Sequence, residues 1–185
     1  NPQLWNEICR ELYYWLPKHD PRSVSLAIHA MGKLGIVNKQ LLDHISGYFL
    51  QANRVKNFCM IDLVALCQGF SLLKYPTPHS NPAFFDVLCE EAMWKLGDAM
   101  PREIAMLLHS FSLMRVANHK LYSSAGRALC SEQLREYIEP QHIAMVLQAH
   151  AKIRISLEEE IVEVLEDIAK MLQEDTMMER VNNIE

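Results

Sequence analysis

The sequence predicts an all-α protein: an α-solenoid of stacked antiparallel helix pairs with a repeat of about 39 residues. Three observations predict it. A 16-residue apolar pattern occurs four times, at residues 21–36, 60–75, 101–116 and 140–155, with spacings of 39, 41 and 39. Its apolar residues recur at helical spacing, and no stretch alternates with the period of two that a half-buried strand shows. Each copy is followed by a turn and a second amphipathic segment that opens at Asn or Ser, both good helix N-caps. One such pair cannot cover its own apolar face, whereas stacked pairs bury a continuous core.

Taken in order, Leu4 to Leu16 reads as the second helix of a preceding repeat, giving a half repeat over 1–19. Repeats follow at 20–58, 59–99, 100–138 and 139–175, and a short polar tail at 176–185 reads as the opening of another. The chain is thus one helical-repeat domain over 1–185, expected to be part of a longer protein or array. The second helices are predicted at 38–53, 81–96, 118–134 and 156–172. The second copy carries an extra turn, TPHSNP, which accounts for the period of 41.

The four first helices match column by column. The fourth column is Val24, Leu63, Ile104, Ile143; the seventh Ala27, Leu66, Leu107, Val146; the eighth Ile28, Cys67, Leu108, Leu147. The eleventh is Met31, Phe70, Phe111, His150, and the fourteenth Leu34, Leu73, Met114, Ile153. At about 100° per residue these share one face, which is the predicted core. Small residues fill the tenth column (Ala30, Gly69, Ser110, Ala149) and all of the twelfth (Gly32, Ser71, Ser112, Ala151), where neighbouring helices must come close. Proline opens three copies, suited to the first turn, where its missing N–H is not needed. Asp20 caps the first copy; Met100 and Glu139 are poor caps. Trp5, Trp15 and Trp94 fall in second helices and are predicted to be packed, and the ten methionines read as core filler.

Half of the 185 residues are apolar, enough for a sizeable core, and no Gly- or Ser-rich linker divides them. Five scattered cysteines, an odd number without a CxxC pair, suggest reduced thiols rather than a disulfide framework or zinc site. No run of about 18 apolar residues predicts a membrane span.

The residues IAMLLHSFSLMRV at 104–116, IAMVLQAHAKIRI at 143–155 and LVALCQGFSLLKY at 63–75 carry a family resemblance. With the period and the two-helix unit, the chain resembles the octotricopeptide and heptatricopeptide repeat proteins and the related FAST-kinase-like and RAP proteins, over about residues 20 to 175. The first copy departs from the pattern at Ala30-Met31-Gly32, and no RAP domain is visible. The resemblance implies a mitochondrial or plastid protein that binds RNA, acting in RNA processing, in translation or within a ribosome. The expected partners are then rRNA or another organellar transcript and neighbouring proteins of a large ribonucleoprotein, and the mitochondrial ribosome is the specific expectation. Periodicity alone also fits HEAT and armadillo arrays at about 40 to 47 residues, but not a 34-residue tetratricopeptide period.

Opposite the apolar face, the second column reads Arg22, Ile61, Arg102, Gln141, the ninth His29, Gln68, His109, Gln148, and the thirteenth Lys33, Leu72, Leu113, Lys152. The net charge is −5, yet the first helices hold seven basic and two acidic residues, and the remainder carries −10. A net acidic protein can therefore offer a basic surface, since charge is felt within a Debye length of about 8 Å. Arg22, His29, Lys33, Gln68, Arg102, His109, Gln148 and Lys152 are the candidate RNA-binding residues. Lys74, Arg115 and Arg154, in the fifteenth column, are secondary candidates. Cations there are also favoured by the helix dipole without any ligand, and the His/Gln column equally suits hydrogen bonding between helices. The acidic stretch at 158–167 reads as a solvated outer face.

No phosphate loop, nucleophile elbow or metal-ligand spacing appears. His44 beside Asp43, and Cys67 beside Gln68, are the only arrangements that suggest a catalytic pair, and each lies in an amphipathic helix pattern. The expectation is a binding protein rather than an enzyme, with no cofactor, metal or small-molecule substrate. The alternative to RNA binding is a protein-interaction scaffold of HEAT or armadillo type.

Overall fold

The computed structural model describes residues 2–153 and 159–173. Among these lie nine α-helices joined by turns and short 3-10 segments, with no strand. They are α1 (Pro2–Trp15), α2 (Pro21–Leu34), α3 (Lys39–Leu50), α4 (Met60–Leu73), α5 (Pro82–Lys95), α6 (Pro101–Met114), α7 (His119–Leu129), α8 (Pro140–Ile153) and α9 (Glu159–Gln173). The helices group into two compact units, residues 1–91 and 92–185.

In the first unit α2 lies along α4, and α1 along α3; in the second, α6 lies along α8, and α7 along α9. First helices thus stack on first helices and second on second, the arrangement expected of repeated helix pairs. Most of the predicted core columns close as read. Val24, Ile28, Met31, Leu63, Leu66 and Phe70 are buried in the first unit, and Ile104, Leu107, Leu108, Phe111, Ile143 and Val146 in the second. Second helices add Leu42, Ile45 and Phe49 to the first unit, and Leu121, Tyr122 and Ala125 to the second. The Tyr122 hydroxyl, fully buried, donates to the Leu108 carbonyl at 3.2 Å, satisfying its one polar atom.

Glycine decides how close two of these helices come. A Cβ on Gly69 would sit 2.7 Å from the backbone carbon and oxygen of Ile28, and one on Gly32 would sit 2.9 Å from the Gly69 carbonyl oxygen. The α2–α4 crossing is therefore backbone against backbone.

Helix starts use a device that the Met100 and Glu139 positions do not announce. The third residue of each first helix completes the N-terminus. Asp20 Oδ1 accepts from the Ser23 N–H at 2.9 Å, and the Cys59 thiol donates to Asp62 at 2.9 Å. Glu103 accepts from the Met100 N–H at 2.9 Å, and His142 Nδ1 from the Glu139 N–H at 3.1 Å. The poor caps are thus served from inside the helix, satisfying donors that would otherwise be orphaned. Second helices start as predicted, with Asn38, Asn81 and Asn118 side chains accepting from the N–H three residues on. The extra turn after α4 closes through Thr77 and Ser80, and Asn81 also donates to the Ser46 hydroxyl on α3 at 3.1 Å.

Some expectations are corrected. The second helix of the third copy stops at Leu129 rather than 134, and the chain continues through turns to a 3-10 turn at Arg135–Tyr137. Trp94 is 85% exposed and Trp15 is 45% exposed, so neither is packed as predicted. Trp94 sits on the last turn of α5, where neighbours Ala92 and Leu96 take the core-facing positions, and the Lys18 ammonium lies over Trp15, 3.9 Å from its ring. Leu34, placed in the core by its column, is exposed. The predicted start of the last second helix at Ser156 and the tail at 176–185 lie outside the described residues.

Candidate nucleic-acid interface

The predicted surface columns are on the surface. Arg22, Lys33, Arg102, Lys152 and Gln148 are exposed, and His29, Gln68 and His109 are half-buried. Among the described residues, none of Arg22, Lys33, Lys74, Arg102, Arg115 and Lys152 is held in an ion pair. An unpaired surface cation has no local partner to give up before it meets a phosphate. Second and thirteenth columns are eleven residues apart, so each helix carries its two cation positions about 16 Å from each other along its axis.

In the first unit, α2 presents Arg22 at one end and Lys33 at the other, with His29 between them. Beside them α4 presents Ile61, Gln68 and Leu72, so the basic character there comes from α2. The His29 ring hydrogen-bonds to the Ala65 backbone on α4. Burial first and Lys33 second push its pKa below the ordinary histidine value, with the Ala65 contact opposing. His29 thus sits where α2 meets the backbone of α4.

The second unit gathers more. Lys152 on α8 lies close enough to His109 on α6 to add to the burial that depresses the histidine pKa. Lys152 also lines a groove of about 420 Å³ with Arg115, Ala117 and Ile153. Three candidates from two columns and the helix end thus converge where α6 and α8 finish. His109 Nδ1 is buried and without a hydrogen-bond partner among the described residues, and among the described residues lining the groove none is acidic. Two cations around a water-accessible hollow form a chemical fit for a phosphate. Arg102 stands apart at the other end of α6, near His142.

The fifteenth column is the left-handed C-cap of α2, α4 and α6. Gly35, Lys74 and Arg115 have φ of 67°, 54° and 60°. The cap is closed by Ile36 N–H to Met31 O and by Val116 N–H to Phe111 O, both at 2.9 Å, a Schellman-type ending. Glycine fits this conformation freely, whereas an L side chain there costs about 1–2 kcal/mol. Aligning Gly35 with Lys74 and Arg115 is the signal in the sequence that identifies the bend. Arg154 lies outside the described residues.

The residues suggestive of catalysis are engaged elsewhere. Asp43 accepts from the Tyr75 hydroxyl at 2.6 Å, and His44 stacks on Tyr13 with ring centroids 4.1 Å apart. Cys67 is buried, and burial pushes its thiol well above the ordinary range. None of the five cysteines is in a disulfide. Among the described residues no cluster of His, Cys, Asp or Glu could hold a metal ion, and no helix is long and apolar enough to cross a membrane. In the acidic stretch, Glu163, Glu166 and Asp167 are exposed on α9, with Lys170 paired to Asp167 at 3.1 Å.

Four histidines on first helices, His29, His109, His142 and His150, have lowered pKa values, in each case chiefly through burial. His150 is buried, with Nδ1 against the Val146 carbonyl at 2.8 Å and its ring edge-to-face with Tyr122. Each group binds a proton less readily folded than unfolded. Below about pH 6.5 the unfolded chain therefore takes up more protons, and stability falls as pH drops through the lowered native values. The melting temperature is expected to be lower at pH 5.5 than at pH 7.5. His150→Phe, which restores the ring of Phe70 and Phe111 in that column, is expected to narrow the gap. Thermal melts at the two pH values measure it, and a flat profile for the unaltered chain would contradict the burial of these rings.

Fold and surface together define a helical-repeat protein with exposed cations on its first helices. Its family is shown by a model that matches residues 17–177: the chain belongs to the RNA-editing substrate-binding complex 6 protein family. The match agrees with the resemblance at the level of an RNA-associated helical family, and not with the octotricopeptide, heptatricopeptide or FAST-kinase-like groups in particular. A search of curated proteins gave no match.

Proposed function

We propose that the chain is a non-catalytic, RNA-contacting subunit of an RNA-editing substrate-binding complex. RNA contacts the first helices of each unit, with Arg115 and Lys152 holding a phosphate at the second unit's groove, Arg102 adding a cation elsewhere in that unit and Arg22 and Lys33 supplying cations in the first unit. The observation that carries this reading is the set of exposed cations on the first helices, none in an ion pair among the described residues, of a chain whose family is named for such a complex. Its partners are then RNA and the other proteins of the complex, and the location is mitochondrial, as the resemblance implies. A place in the mitochondrial ribosome, on rRNA, is the second version of the same chemistry. A scaffold of HEAT or armadillo type that makes no RNA contact is the alternative from another class.

The test is binding of the purified chain to a single-stranded RNA oligonucleotide across salt concentrations, beside sedimentation of the native protein from organelle lysate with and without RNase. Each phosphate contact contributes about −0.7 to the slope of log affinity against log salt on a single strand, so three to five contacts give a slope between about −2 and −3.5. Binding that is absent, or indifferent to salt, together with RNase-insensitive sedimentation, would leave the scaffold.

A further inference from the structure

A second hollow lies in the first unit, away from the candidate columns. It holds about 200 Å³. Pro17, His19 and Pro21 line it from the join between α1 and α2. Tyr48, Arg54 and Asn57 line it from the end of α3 and from the 3-10 segment Gln51–Asn57 that follows. Each side is a joint between one repeat and the next, and the two meet because α1 lies along α3.

Arg54 sets this hollow apart. Its guanidinium lies over the Tyr48 ring, 3.9 Å from the centroid. Tyr48 meets Phe49 edge-to-face, and Phe49 meets Phe58 in the same way, with centroids 5.7 and 4.8 Å apart. Phe49 and Phe58 are buried and also line the hollow, so the arginine rests on a packed aromatic support. A ring face holds a guanidinium without using any of its five N–H donors. Among the described residues Arg54 makes no ion pair or hydrogen bond, and none of those lining the hollow is acidic. Asp20 lies between two lining residues in sequence, but its oxygens accept from the Ser23 N–H at 2.9 Å and the Ser23 hydroxyl at 2.6 Å.

These groups favour one kind of occupant. Proline and aromatic rings give flat apolar walls, and guanidinium, imidazole and amide groups stand beside them. A nucleobase has the matching character, an apolar face and an edge of donors and acceptors, and unstacked bases are held on aromatic and guanidinium planes. A carboxylate or a lone phosphate would satisfy Arg54 and leave the walls uncovered. Beside the hollow a group for the strand's phosphates is already present, since Arg22 follows Pro21 at the start of α2 and is exposed.

We infer that this hollow receives one base of single-stranded RNA, held at the Arg54–Tyr48 pair while a neighbouring phosphate meets Arg22. The inference rests on the RNA reading above and adds a base contact to cations that supply charge alone. Stacking accepts any base, so the site is expected to tolerate sequence.

The test uses the intact chain and a fluorescent oligouridylate carrying one 4-thiouridine. Irradiation is expected to cross-link that base to the segment containing Tyr48 or the one containing His19, mapped by mass spectrometry. Arg54→Lys keeps the charge and loses the plane. It is expected to weaken binding about tenfold, within the range for one stacked base, with the salt slope and the melting temperature unchanged. An abasic ribose-phosphate oligomer should bind the unaltered chain and Arg54→Lys equally. Salt-dependent RNA binding that Arg54→Lys leaves intact, with cross-links only elsewhere, would overturn the inference and leave the RNA reading standing. So would an oligoglutamate peptide whose binding Arg54→Lys weakens while RNA binding holds, because the occupant would then be an acidic protein segment. No RNA binding by the unaltered chain would overturn both readings.

Discussion

Replacing Gly69 by alanine is expected to destabilise the first unit by about 2–3 kcal/mol, the range for forcing a group into a filled interior. On propensity alone the sign should be the opposite. Glycine inside a helix is worse than alanine by about 0.5–1 kcal/mol. Gly69 sits in the middle of α4, buried, with space for its missing Cβ taken by the Ile28 carbonyl carbon and oxygen at 2.7 Å. Those are backbone atoms and cannot rotate away. The two helices must separate, and the contacts of Ile28, Met31 and Phe70 loosen with them. A loss of this size lowers the melting temperature of a small domain by roughly 10–20 °C. Gly47→Ala is the control: a Cβ added there, on α3, would meet nothing within 4 Å, so propensity should act unopposed and stabilise slightly. Thermal denaturation of both variants decides it. A neutral Gly69→Ala would show that α2 and α4 do not approach this closely.

Reversing four charges, Arg22→Glu, Lys33→Glu, Arg102→Glu and Lys152→Glu, is expected to lower affinity for single-stranded RNA by about 100-fold or more near physiological salt. Each lost phosphate contact removes about 0.7 from the salt slope, and each carboxylate adds repulsion where there was attraction. Helicity by circular dichroism should be unchanged, since all four side chains are exposed and none is in an ion pair among the described residues. Arg115→Gly refines the result. At φ 60° glycine relieves the backbone, so stability should rise by about 1 kcal/mol while RNA binding weakens severalfold. The two measurements moving in opposite directions would mark Arg115 as a ligand. Unchanged affinity in the fourfold variant would reduce these cations to solvated helix faces.

Much of the first helices was legible because a solenoid repeats one packing problem, and its solution is written once per copy. Val24, Leu63, Ile104 and Ile143 are buried because each sits at the same height on the same face of its helix. The Asn caps of α3, α5 and α7 were legible too, since capping is a local interaction over three residues. The helper role of Glu103 and His142 was not, although it is equally local, because His142 is not a residue that a capping pattern selects. Trp94 and Leu34 misled for a different reason. Side-chain character says what a residue would gain from burial, but burial needs a neighbour, and at those positions the described neighbours lie elsewhere.

The candidate site divides along the same line. By itself the sequence determined which residues share the polar face of a first helix, and that its charge is positive in a chain that is acidic as a whole. Helical period alone settles this, because it places residues on one helix relative to each other. Only the tertiary structure decided which of them meet: Lys152 with His109 and with Arg115, His29 with the backbone of α4, and Arg102 with none of the groove. It also decided that Lys74 and Arg115 occupy left-handed caps, and that Trp94 on α5 is exposed. These depend on how far apart helices pack and which face each turns to its neighbour, and that is set by the backbone contact at Gly32 and Gly69 and by what lies beside each helix.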